Sequence, residues 1–303
     1  MTPTLSSEDI AFYTTQTVVT DPGRHAALFE DLPNDVPSLM RTARNLIIHY
    51  RAENPLKLGV PKDRMKEIHT RHIETMLTTL VSLKEGSITS PRAPTERLVG
   101  CCRDFALMFV SMARFKGIPA RTRVGFGKYF MTGLYLDHEV AEVWDADAQR
   151  WYLVDPELAD NFKSPDGANI SPLDVPSEQF LTAGEGWRLC QEGQLDPKTF
   201  MVGPDVDIES TKGYPQITYD LVQDFVALLK IEMLLWDEWF DLENNVELNV
   251  ELINRLAEAT RVPDVAKLRK LYEENTFLQV PDTVRSFDPL GGPPCKVSWK
   301  TRA

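Results

Sequence analysis

Two cysteines stand side by side in GCCRDFALMFVSMARFKGIPAR, the stretch from Gly100 to Arg121. The residues after them read as a helix that is apolar on most sides. Phe105, Ala106, Met108, Phe109, Val110, Met112 and Phe115 leave Arg103, Ser111 and Arg114 as a narrow polar stripe. Such a helix is expected in the core. A cysteine in its first turn meets unpaired backbone N–H groups and the positive end of the helix dipole, which favour a thiolate. The same N–H groups can hold an oxyanion. The chemistry this allows is nucleophilic attack on a carbonyl.

A thiol nucleophile needs a base, and the base needs an orienting group. Of the five histidines, His25, His49, His69 and His72 fall in the N-terminal region, and His138 alone begins a strand beyond the cysteine helix. WYLVD on the next strand ends at Asp155. An even number of residues in the intervening turn would put His138 and Asp155 on one sheet face, within hydrogen-bond reach. Asp104 reads as a structural acid in the first helical turn. Arg121 and Arg123 alternate on one strand face, as a salt-bridged face or as a grip on a substrate carboxylate. His69 and His72 have metal-compatible spacing but no third ligand, so a surface pair is expected.

Around this centre the elements follow from periodicity. SSED at Ser6–Asp9 is a helix start. Helical spacing predicts helices over Val36–Arg51 and Lys62–Gly86, followed by a loop containing Pro91 and Pro94. Ala120–Gly127, His138–Asp145 and Arg150–Asp155 read as strands, the last two as an antiparallel hairpin. Helices are expected over Ile217–Leu242, Val246–Arg261 and Asp264–Asn275, with LLWDEWF (Leu234–Phe240) in the core. The Pro/Gly-rich tail carries one strand around Lys296–Trp299. The order suggests a single α+β unit over 1–303: a helical part at 1–97, a catalytic core at 98–160 and a mainly helical part at 161–303.

The totals narrow the function. The 303 residues carry a formal charge of −12, which argues against nucleic acid or an anionic membrane as the partner. No apolar run is long enough for a bilayer span, and MTPTLSSEDIAFYTTQ lacks the pattern of a secretory signal. Four cysteines (Cys101, Cys102, Cys190 and Cys295) are too sparse for a disulfide scaffold, and no C-x-x-C pair suggests zinc. A soluble, reduced, cytoplasmic protein is expected.

GCCRDFALMFVSMARFKGIPARTRVGF followed by HEVAEVWDADAQRWYLVDPE resembles the transglutaminase-like superfamily of thiol enzymes. The shared pattern is a Gly-x-Cys helix start, an Arg-x-x-Gly-Ile-Pro-Ala-Arg helix exit, a His-x-x-x-Glu-Val strand and a Trp-x-x-x-Asp-Pro strand, together spanning Leu98–Glu157. The resemblance implies a papain-like core with an antiparallel sheet, a buried cysteine-bearing helix and helical extensions at both ends. It points to Cys102, two after Gly100, as nucleophile, with His138 as base and Asp155 as orienter. Cys101 takes the variable position between glycine and nucleophile. The chain departs from the family in reading HEV where HAW is frequent. It lacks the accessory β-domains and calcium-spaced acids of the large crosslinking enzymes. Acyl transfer is therefore expected on an amide or thioester carbonyl of a small-molecule or peptidyl substrate. The acyl-enzyme would be resolved by an amine acceptor, with no metal or organic cofactor. Hydrolysis by the same triad is the alternative, and a non-catalytic binding module on this fold a further one. The helix expected at Ile217–Leu242 would close a small, dry pocket beside Cys102.

Overall fold

The computed structural model describes residues 6–240 and 249–301. Helix α1, Ser7–Thr14, starts where Ser6 Oγ accepts from Asp9 N at 3.0 Å. Helix α2, Val36–Leu46, is capped by Asp35, whose carboxylate accepts from Ser38 N at 2.8 Å. It stops short of Arg51. The β-branched pair Ile47–Ile48 opens a short strand, β1 (Ile47–His49), which pairs in parallel with β2 (Leu98–Gly100) inside the stretch expected as loop. Tertiary pairing overrides the helical period here.

The helix expected over Lys62–Gly86 is broken. Lys62–His69 forms a tighter 3-10 turn, and α3 covers only Ile73–Leu83. The break follows from long-range partners. Arg71 reaches Asp237 at 2.6 Å, His72 Nε2 meets the Trp299 carbonyl at 2.8 Å, and Ile73 N donates to Val19 O at 2.9 Å.

Next come α4 (Cys102–Phe115), β3 (Ala120–Gly127), β4 (Tyr135–Asp145) and β5 (Arg150–Val154). They are followed by β6 (Phe180–Thr182), α5 (Ala183–Gln191), β7 (Phe200–Met201) and α6 (Gly213–Leu228). The central sheet runs β5-β4-β3-β6 in antiparallel order, and β7 adds to β4 in parallel. Gly125 sits where β3 meets β6; a Cβ there would run into the Leu181 carbonyl.

Helix α6 ends at Leu228 rather than Leu242. Lys230 adopts φ +64° and its ammonium binds the Phe12 and Thr15 carbonyls at 2.6 and 2.8 Å, turning the chain back towards α1. Leu242 lies outside the described residues, as do Val246–Leu248 of the next expected helix. The chain ends with β8 (Asp237–Glu238), α7 (Val250–Arg261), α8 (Val265–Glu274), β9 (Thr283–Ser286) and β10 (Cys295–Ser298). The tail thus has two strands, and β9 lies between β10 and β8 in a small antiparallel sheet.

Helix α4 is the axis of the core. Every residue from Cys102 to Arg114 is buried, and its apolar side chains join Ala120, Phe126, Ala141, Val143 and Val154 of the sheet in one cluster. The polar stripe is buried too, and it is spent on carbonyls and on the carboxylates of Asp104 and Glu232. Ser111 Oγ donates to Thr20 O at 2.6 Å, Arg114 Nε to Ala120 O at 3.0 Å, and Arg114 Nη1 to Glu232 Oε1 at 2.7 Å. A second cluster of Tyr129, Val140, Leu153, Leu158, Ile170, Val175 and Phe180 includes Val140, the neighbour of His138 on its sheet face. The result is an α+β architecture: an antiparallel sheet packed on a buried helix, with further helices before and after.

Candidate active site

Cys102 opens α4, and Cys101 is its N-cap residue. Cys101 N donates to Asp104 Oδ2 at 2.9 Å, so Asp104 has the capping role its position suggested. This explains the glycine two before Cys102. A Cβ on Gly100 would lie 2.8 Å from Asp104 Oδ2 and 3.0 Å from Ile47 Cγ2. Arg103, fully buried, fixes the same turn by donating to the carbonyls of Glu232 (2.7 Å), Met233 (3.2 Å) and Arg71 (3.1 Å).

The β4–β5 register pairs Asp145 with Arg150 and Ala141 with Val154, leaving residues 146–149, an even number, in the turn. His138, Val140 and Asp155 therefore share a face. His138 Nε2 meets Asp155 Oδ2 at 2.8 Å, with both residues buried. The same oxygen accepts the Tyr129 hydroxyl at 2.6 Å, and Asp155 Oδ1 accepts Glu157 N at 3.0 Å. Phe130 packs edge-on against the His138 ring, 4.8 Å between centroids, with Tyr129 and Phe180 beside it.

Charge follows geometry. Burial alone would lower the His138 pKa, but the Asp155 charge and hydrogen bond, with Glu157 and Asp137 beyond, raise it above the usual value. Burial would raise Asp155, yet His138, Tyr129 and the Glu157 N–H hold it low. Asp155 takes the Nε2 side of the ring, so Nδ1 is the atom that can meet a thiol. Cys102 lies in the same electrostatic neighbourhood. Asp137 and Glu157 act on both Cys102 and His138, and Tyr129 feels Cys102. Among the described residues, the hydrogen bonds of His138 do not include one to Cys102; catalytic contacts of this kind often tighten only with substrate bound.

The thiol itself departs from expectation. A hydrogen bond with Cys101 raises the Cys102 pKa, and burial, the Cys101 charge and the carboxylates of Asp137 and Glu157 push it further. The helix dipole that favours a thiolate is opposed by these acids, whose placement depends on the sheet. Burial lifts Asp137 to about 6 and Glu157 to about 8, and each has a buried carboxylate oxygen without a hydrogen-bond partner.

Glu139 is raised to about 8, first by burial, against the pull of Arg103. Its folded pKa exceeds the unfolded value, so the folded state binds the extra proton between about pH 4.5 and 8 and stability falls as pH rises through that window. Between pH 6.5 and 8, Glu139 is expected to remove about 1.5 kcal/mol. Glu139→Gln should flatten the chemical-denaturation profile by that amount; an unchanged slope would show that Glu139 is ionised in the fold.

The remaining candidates resolve plainly. Arg121 and Arg123 are buried and spent on Glu142 (2.7 and 2.9 Å), and Arg123 also on Asp224 (2.9 Å), so neither is free for a substrate carboxylate. His69 and His72 are not a surface pair. His72 is buried on the Trp299 carbonyl, while His69 faces Asp288 at 3.3 Å. No group of three or more His, Cys, Asp or Glu among the described residues could hold a metal ion. No helix among the described residues is long and apolar enough to cross a membrane. A depression of about 330 Å³ lies away from Cys102, lined by Leu134, Met201, Pro204, Val206 and Lys212 among others. Tyr129, Asp137 and Glu157 were not among the residues the sequence singled out. Asp137 adjoins His138 and Glu157 follows the Asp-Pro pair, but Tyr129 has no spacing signal.

Residues 60–156 match the model of the transglutaminase-like superfamily. The match begins well before the motifs that suggested it and ends just after Asp155. A solved structure from Cytophaga hutchinsonii, described as a candidate cysteine protease, is 15% identical. The alignment covers 59% of this chain and 46% of that one, with a TM-score of 0.35, too little likeness for an inference about chemistry. No curated protein matches the chain. The matched stretch contains Cys102, His138 and Asp155, and over it the chain is similar to that superfamily.

Proposed function

We propose that the protein is a thiol acyltransferase acting through Cys102, His138 and Asp155. The observation that carries this reading is the buried His138 Nε2–Asp155 Oδ2 hydrogen bond of 2.8 Å, in a pair that shares the influence of Asp137 and Glu157 with Cys102. Asp155 fixes the ring so that Nδ1 takes the Cys102 proton, and the imidazolium that forms is stabilised by the carboxylate behind it. The thiolate attacks an amide or thioester carbonyl. The electron pair of the C=O bond moves to oxygen, beside the Cys102 backbone N–H. Collapse expels the leaving amine, protonated by His138, or the leaving thiol, and an acyl-enzyme remains. An amine then attacks the thioester, His138 takes its proton, and the C–S bond breaks to release the amide and return Cys102 Sγ as a thiolate, which the imidazolium reprotonates. Cys102 is only 7% exposed, which supports a small-molecule or peptidyl acyl group and a site from which water is largely excluded. The unpaired thiols support a reducing, cytoplasmic setting.

The test is mass spectrometry after exposure to cell extract, where an acyl adduct is expected on Cys102. The released donor is then titrated with amines and the ratio of amide to free acid measured. Amide rising with amine supports a transferase. Free acid alone at saturating amine makes the protein a hydrolase with the same triad. No adduct, together with no turnover of any acyl donor, removes the enzymatic reading.

A further inference from the structure

His49 was expected inside a helix. It sits instead at the end of β1, in register with Gly100, two residues before Cys102. Tyr50 N donates to Gly100 O at 2.8 Å, tying the turn after β1 to the start of α4. The next residues wrap the His49 ring. Arg51 N and Ala52 N both donate to its Nδ1, at 3.1 and 3.0 Å, while His49 N donates to Glu53 Oε2 at 2.8 Å. A ring nitrogen that accepts two N–H groups carries no proton, so in the neutral ring the proton is on Nε2. That N–H has no hydrogen-bond partner among the described residues. The ring is partly exposed and stacks on Tyr50 at 5.2 Å. It is also near enough to His138 for the two charges to oppose each other; burial first, then His138 and Arg51, lower its pKa to about 3.

We propose that His49 is a second oxyanion donor of the acyl-transfer site, its neutral ring presenting Nε2–H beside the backbone N–H of Cys102. This rests on the thiol acyl-transfer reading. When Cys102 Sγ bonds to the carbonyl carbon, the π pair moves to oxygen, and a donor already fixed in place stabilises that charge without reorganising. A neutral imidazole serves because two backbone N–H groups hold its tautomer. Lys or Arg in its place would add a cation that competes with the His138 imidazolium.

The test separates acylation from simple thiol reactivity. p-Nitrophenyl acetate acylates through a tetrahedral oxyanion, whereas iodoacetamide alkylates at an sp³ carbon without one. His49→Asn keeps an acceptor near Nδ1 and removes the distal donor; His49→Gln keeps a donor near Nε2. Expected is a fall of about 10²–10³-fold in the Cys102 acylation rate for His49→Asn. Alkylation should stay at the wild-type rate, and His49→Gln should recover to within about tenfold of wild type. Acylation at the wild-type rate in His49→Asn overturns the assignment. A parallel fall of both rates, or a loss in His49→Gln as deep as in His49→Asn, also overturns it, because the ring would then only hold the loop. If the wild-type protein shows no Cys102-dependent p-nitrophenol burst, the acyl-transfer reading itself fails and takes this proposal with it.

Discussion

Cys102→Ala will abolish the p-nitrophenol burst, a loss of several orders of magnitude, while Cys101→Ala will keep it and alkylate faster than wild type. The two outcomes have separate causes. Cys102, in the first turn of α4, lies under the influence of Asp137 and Glu157, which also act on His138. Cys101 contributes a hydrogen bond that holds the Cys102 proton in place, and removing it lowers the barrier to thiolate formation. Peptide mapping after iodoacetamide treatment distinguishes the sites. Cys295 is exposed and serves as the internal reference for an accessible thiol. If Cys101→Ala loses the burst and Cys102→Ala keeps it, the nucleophile is displaced by one residue.

Asp155→Asn should lower the acylation rate by about 10⁴-fold, by analogy with the serine triad, while leaving the near-UV circular dichroism unchanged. Asp155 does one job that an amide cannot. Its charge raises a buried imidazole above the value that burial would impose, while one of its oxygens meets both His138 and Tyr129. With the charge gone, burial dominates and the His138 pKa falls. The pH at which Cys102 alkylation reaches half its maximum should then shift. A loss of less than tenfold would make Asp155 a packing residue rather than the orienter.

Much of this centre was legible because its signals are local. The Gly-x-Cys start, the apolar run of α4 and the even turn between β4 and β5 are short-range features, and each forces a side chain to one place. The failures share a cause at longer range. Ile47–Ile48 reads as helix until Leu98–Val99 pairs with it. Thr70–His72 reads as helix until Asp237 and Trp299 claim Arg71 and His72. Leu229–Lys230 reads as helix until α1 offers its carbonyls to the Lys230 ammonium. In each case a distant partner outweighs a propensity worth only tenths of a kcal/mol per residue. The acids around Cys102 escaped for the same reason, since their shared neighbourhood is created by the fold.

The buried cations of the central helix and its neighbouring strand have a consequence for how such a chain can be inherited. Arg103 is held by carbonyls at 232 and 233, Arg114 by Glu232, and Arg123 by Asp224. The partners at 224, 232 and 233 lie downstream of the segment at 60–156 that the family match recognises. An excised copy of that segment would leave Arg114 without its carboxylate, at several kcal/mol for the uncompensated buried charge, while Arg103 would keep Asp104 and Arg123 would keep Glu142. The matched segment therefore does not carry all the partners of its own buried cations. Grafting the site elsewhere means moving the stretch from Asp224 to Met233 along with it.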